Sequence, residues 1–142
     1  MTANISAAAA QSQLTSFTGL VNAGSGDGTL EIYTASYGTL LVDYDLSATA
    51  FGTATTPTPP APSIATANDL PISGTGVADG TAGSFRLKDG NGTVVMQGTG
   101  AGSVGTSDAI AILTNLSITT GQAVNLLDFK LTQPTVVSIY AL

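Results

Sequence analysis

Between Val42 and Ala50 the chain alternates without a break: Val42, Tyr44, Leu46, Ala48 and Ala50 are apolar, and Asp43, Asp45, Ser47 and Thr49 lie between them. A period of two puts successive side chains on opposite faces, so this segment reads as a strand with one face buried and one in water. Leu30 and Ile32 alternate with Thr29 and Glu31 in the same way. Phe85 and Leu87 alternate with Arg86 and Lys88, and Asp89-Gly90-Asn91-Gly92 follows. Asp-Gly and Asn-Gly pairs tolerate the positive φ of tight hairpin turns, so Thr93 to Gln97 is expected to return as a second strand. Further strands are expected at Ala109 to Leu113, Asn115 to Thr119, Ala123 to Leu131 and Thr135 to Ala141, punctuated by Gly121 and Pro134. Short strands at near-regular spacing point to a mainly β fold, two antiparallel sheets packed as a β-sandwich or jelly roll.

The segment Ser6 to Ala23 breaks this pattern. Ala10, Leu14, Phe17 and Val21 recur at helical spacing, Ser6 can cap the start, and Asn22, Gly24 and Gly26 supply a stop. Gly19 and several Thr and Ser residues lower the propensity, which leaves an extended arm as the alternative. With 142 residues there is room for one core. The expected organisation is therefore a helix or arm over 1–24 and a single sandwich over 25–142, able to fold without the arm. Thr55 to Ser63 holds four of the six prolines and cannot be a central strand. In polyproline geometry it would reach about 25 Å, as a spacer or contact loop. Its PxxP spacings lack a flanking basic residue.

Composition narrows the chemistry. There is no Cys and no His, which removes the commonest zinc and haem ligands, thiol chemistry and histidine-assisted nucleophiles, and the chain is read as a non-enzyme with no cofactor or metal. Arg86, Lys88 and Lys130 stand against nine acidic residues for a net charge of −6, too few cations for nucleic-acid phosphates. No run approaches the roughly 18 apolar residues of a membrane span, and Met1 to Ala10 lacks the basic and apolar regions of a signal peptide. Asp43 and Asp45 are expected to face solvent; as cation ligands they lack an evident third partner. Gly100 to Gly105 matches GxGxxG, but the residues after it are strand-like, so it reads as a strand-connecting loop. Asp128 reads as an edge or surface-facing residue, open to pairing with Lys130 or with Arg86 if it is buried. Tyr33, Tyr37 and Tyr140 are candidates for an interface, and Tyr44 for the core. Only 8% of residues are charged, whereas Thr numbers 22, Ser 13 and Ala 20, so most of the surface is small and neutral and suits packing against protein.

Several of these segments together resemble a known family. A short N-terminal helix ends in a Gly-rich turn, Leu30 to Tyr33 reads L-x-I-Y, Ala50 to Gly52 reads A-F-G, and Phe85 to Gly98 forms the hairpin FRLKDGNGTVVMQG. Over roughly residues 20 to 100 this order resembles the capsid decoration, or cement, proteins of tailed bacteriophages, with the proline-rich loop as an insertion. The resemblance implies a sandwich or jelly-roll domain on the outer surface of the virion that binds the major capsid protein, bridges its subunits and stabilises the shell. It implies neither nucleic-acid nor membrane contact. A homodimer is the first assembly expected and a trimer the second. The contact segments expected are the helix, through Leu14, Phe17 and Val21, and the loop, through Pro57, Pro59, Pro60 and Pro62. A phage tail or baseplate β-domain, or an adhesin module for a host receptor, is the alternative. A glycosidase would need two carboxyls about 5 to 9.5 Å apart.

Overall fold

The computed structural model describes residues 2–99, 101–103 and 111–138. In chain order these form β1 (Thr2–Asn4), α1 (Ala7–Val21), β2 (Thr29–Tyr33), β3 (Leu40–Asp45), β4 (Ser63–Thr66), β5 (Gly80–Thr81) and β6 (Ser84–Lys88). There follow β7 (Val94–Gly98), β8 (Ala101–Ser103), β9 (Ala111–Leu113), β10 (Ser117–Ile118), β11 (Leu126–Gln133) and β12 (Val136–Ser138). A 3-10 turn, Ala35–Tyr37, separates β2 from β3. One four-stranded sheet has the order β3-β2-β6-β7, the other β4-β11-β9-β8, and β1-β12 and β5-β10 form two-stranded ribbons.

The two larger sheets share one core. Leu30, Ile32, Val42, Tyr44, Phe85 and Leu87 from the first meet Ala65, Ala111, Leu113, Leu126, Phe129 and Leu131 from the second in a single buried cluster. The molecule is thus a mainly β protein of sandwich type with one N-terminal helix. All described pairings are antiparallel except β8 with β9, which run parallel, a departure from the purely antiparallel expectation. The expected hairpin is present as β6–β7. Its turn is braced by the Asp89 carboxylate, which accepts from the Asn91 and Thr93 amides at 2.9 Å each, with Gly92 at φ 81.

The alternation in β3 holds through Leu46 and then stops. Ala48 is exposed, contrary to the pattern, because the strand ends at Asp45 and the chain turns, with the Ser47 hydroxyl donating to the Thr49 carbonyl. That turn carries Ala50 and Phe51 over to the other sheet, where Phe51 bridges to Ala67 and its ring lies 5.3 Å from that of Phe129. Of the GxGxxG string, Ala101 to Ser103 is strand β8 rather than loop, and its remainder belongs to positions outside the described residues. The strand expected from Ala123 begins at Leu126, because Ala123 and Val124 already pair with Thr75 and Gly74. The expected strand ends at residues 109–110 and 139–141 lie outside the described residues.

Helix α1 follows β1 and packs one face into the core. The Ser6 hydroxyl caps α1 by accepting from the Ala9 amide at 3.1 Å. Ala10, Leu14, Thr18 and Val21 are buried, and the helix packs on β4 and β11. The Asn22 side-chain Oδ1 accepts from the Ala50 amide at 2.8 Å, and the Ile5 amide donates to the Thr135 carbonyl at 2.7 Å. Without this segment the apolar residues beneath α1 would face water. Gly19 faces open space, so it lowers helix propensity without disturbing packing.

The proline-rich segment is also compact, where an extended reach of about 25 Å was expected from polyproline geometry. The Thr55 amide donates to the Ile64 carbonyl and the Ile64 amide to Thr55 Oγ1, both at 2.9 Å, closing the base. Within it the Ala61 amide donates to the Thr58 carbonyl at 2.9 Å, and Thr135 Oγ1 donates to the Ala61 carbonyl at 3.1 Å. These bonds satisfy the backbone of a segment whose prolines remove it from any ladder.

Tyr44 ties β3 to the segment that leads into β11. It is fully buried, and its hydroxyl donates to the Val124 carbonyl at 2.9 Å. Tyr44→Phe is expected to cost about 1–2 kcal/mol in urea unfolding, because it orphans a buried carbonyl. Burial pushes this phenol well above its ordinary value of 10.0. The unfolded chain ionises first, so the stabilising effect is complete below about pH 10 and is lost as pH rises toward the folded value. Wild type is expected to lose stability more steeply than Tyr44→Phe above about pH 10, as alkaline unfolding curves will measure.

Candidate functional site

The core-facing alternation dictates what the first sheet shows to the outside. With Leu30 and Ile32 inward on β2 and Phe85 and Leu87 inward on β6, the outward set is Thr29, Glu31, Tyr33, Arg86 and Lys88. Register sets Glu31 opposite Arg86 on one side and opposite Asp43 on the other, with Gln97 of β7 beyond Arg86. Asp43 and Asp45 are exposed on this sheet, as their spacing indicated.

Arg86 is clasped by two aromatic rings. Its guanidinium carbon lies 5.1 Å from the Tyr33 ring centre and 4.9 Å from that of Tyr37, and the two rings meet edge-on at 6.4 Å. Such cation–π contacts contribute about 0.5–1 kcal/mol each at exposed sites. Arg86 Nε also donates to Gln97 Oε1 at 3.3 Å. Beside it, Lys88 Nζ pairs with Glu31 Oε1 at 2.9 Å, and the Tyr33 hydroxyl donates to the other Glu31 oxygen. Partial burial and then the Glu31 carboxylate raise the Tyr33 phenol above its ordinary value.

Tyr37 reaches this face through a strained turn. Ser36 and Tyr37 have φ of 58 and 57, a left-handed conformation that non-glycine residues rarely adopt. Buried Ser84 holds the turn from below: its hydroxyl accepts from the Tyr37 amide at 3.0 Å and donates to the Thr34 carbonyl at 2.7 Å. Thr34 Oγ1 in turn accepts from the Thr39 amide at 2.9 Å. Gly83 lies close beneath, where an added Cβ would stand 2.9 Å from the Ala35 amide nitrogen.

The expected contact residues fare differently. Leu14 and Val21 are 3% and 0% exposed and belong to the chain's own core. Pro57 is buried as well. Phe17 is half-buried against the core and, with Leu14, Met96 and Leu131, walls a groove of about 480 Å³. Pro59, Pro60 and Pro62 are exposed on the folded-back loop. None of the prolines lines the Phe17 groove. Asp128 pairs with Lys130 at 3.0 Å, which resolves the choice of partner away from Arg86.

The tyrosine–arginine cluster is what sequence reasoning missed. Tyr33 and Tyr37 carried a signal as interface candidates, and Tyr33, Arg86 and Lys88 share the outward parity of their strands. Nothing local tied Tyr37 to Arg86. Fold and site together define a β-sandwich that displays an ordered tyrosine–arginine patch on the open face of one sheet. No family model matches the chain, and comparisons with curated proteins and with solved structures returned no match.

Proposed function

We propose that this chain is a structural virion protein of the capsid decoration class, which binds the outer surface of a phage capsid and bridges major capsid subunits to stabilise the shell. The observation that carries the reading is the surface: a pre-ordered Tyr33–Arg86–Tyr37 patch on the sandwich of a chain only 8% charged. Tyr and Arg are the residues that dominate protein–protein hot spots. The segments that resemble decoration proteins add support, since Leu30 to Tyr33 is β2 and Phe85 to Gly98 is the β6–β7 hairpin, both in the sheet that bears the patch. Many modest contacts suffice on a lattice, because each bound copy that bridges two subunits raises the effective concentration of the next contact. A dimer is the first assembly proposed and a trimer the second.

The test is co-sedimentation of the purified protein with expanded capsid shells lacking it, with densitometry for copies bound per shell. Saturation at a simple multiple of the shell subunits, with improved heat resistance of the shells, is the expected result. Absence of binding, with the protein in tail fractions, would move it to the tail or adhesion class. The loop supplies a further check. Ala61→Lys introduces a charge between exposed Pro60 and Pro62 and is expected to weaken shell binding about tenfold, the scale of one poorly desolvated charge. Its melting temperature should stay within a degree or two of wild type, as for other surface changes.

A further inference from the structure

We infer that the outer face of the β3-β2-β6-β7 sheet is a docking surface for a protein partner that presents an aspartate or glutamate carboxylate to Arg86. The chain has nine acidic residues and three cations. Lys88 and Lys130 each hold a carboxylate, at 2.9 and 3.0 Å, whereas Arg86 makes no ion pair among the described residues. In a chain with so many acids, the cation left without one among the described residues is the one held in place by two rings and Gln97. A guanidinium offers parallel N–H donors that match a carboxylate, and ordering it beforehand removes side-chain entropy from the cost of binding.

The turn before β3 supports the same conclusion. Left-handed non-glycine residues are unfavourable and persist where their surroundings over-determine them. Ser36 and Tyr37 both adopt this conformation, and the product is the Tyr37 ring set against Arg86. A single carboxylate on a protein complements this one cation, whereas the net charge of −6 opposes a polyanion such as a nucleic acid or an anionic membrane. That the carboxylate belongs to a capsid subunit rests on the proposed function; the chemistry of the surface does not.

Arg86 is the only arginine in the chain, so its Nε–H gives a single resonance in a nitrogen–proton spectrum. The full chain is titrated with N-acetyl-Gly-Asp-Gly-amide and with its Asn counterpart at matched ionic strength. A saturable shift with the Asp peptide and none with the Asn peptide is expected. Equal responses to both, or no response to either, would overturn the inference. So would movement of the Tyr33 and Tyr37 ring signals by the uncharged sugar maltotriose without a response to the Asp peptide, which would make the face a glycan reader. In shell co-sedimentation, Arg86→Gln is expected to bind about tenfold more weakly, as for loss of a charge-assisted pair. Arg86→Lys should fall between, since lysine keeps the charge and lacks the fork. Full binding by a folded Arg86→Gln protein overturns the docking surface and leaves the capsid reading intact. Wild type that ignores shells but responds to the Asp peptide retains the docking surface and removes the capsid reading.

Discussion

Removal of residues 1–24 is expected to leave a chain that no longer unfolds cooperatively, in place of a trimmed but folded β domain. Ala10, Leu14 and Val21 are buried in contact with the sandwich, and β1 pairs with β12 through Thr2↔Ser138, Ala3↔Val137 and Asn4↔Val136. Net stability of a domain this size is only about 5–15 kcal/mol, and losing several buried side chains at once consumes most of it. A point substitution tests the same contact without shortening the chain. Leu14→Ala is expected to destabilise by about 2–5 kcal/mol, the range for buried Leu truncations. Chemical denaturation with circular dichroism checks both. A truncated chain with a sharp unfolding transition would show that α1 covers a core able to close without it.

Gly90→Ala is expected to destabilise by about 3 kcal/mol, the upper end for steric insertion into a packed site. Gly90 lies in the β6–β7 turn, and an added Cβ would overlap the Gly26 carbonyl oxygen, with the Gly26 amide nitrogen at 2.9 Å. Both are backbone atoms, so no rotamer change relieves the overlap. The Gly90 amide also donates to the Ala23 carbonyl at 2.8 Å, and Asn91 Oδ1 accepts from the Ser25 amide at 3.4 Å. The hairpin turn therefore docks on the segment leaving α1, and the substitution separates them. Gly92→Ala is the control. Nothing lies within 4 Å of its added Cβ, so the penalty there comes from φ 81 alone and should be about 1 kcal/mol. Urea midpoints measure the difference, and equal losses at the two positions would place the strain in turn conformation rather than in docking.

Much of the architecture was legible because it rests on local rules. The two-residue period around Leu30, Val42 and Phe85 located three strands of one sheet and their inward faces. The Asp-Gly-Asn-Gly turn located the hairpin, and Ser6 located the helix start. The candidate site was only partly legible. Helical spacing correctly grouped Leu14 and Val21 on one face, but the same apolar stripe serves a core or a partner equally well, and only packing distinguishes them. Polyproline stiffness misjudged Thr55 to Ser63, because hydrogen bonds from Thr55, Ile64 and Thr135 fold it back.

By itself, then, the sequence determined the strand pattern, the hairpin, the capped helix and a sparsely charged surface, all of which follow from residues within a few positions of one another. Tertiary structure alone decided that α1 belongs to the core, that β8 and β9 run parallel, and that Arg86 sits between Tyr33 and Tyr37. The last depends on Ser84 gripping the Tyr37 amide from 47 residues away. Contacts of that separation form only when the whole sandwich closes, since the entropy of joining distant segments is offset by the combined burial of both sheets and not by any local preference.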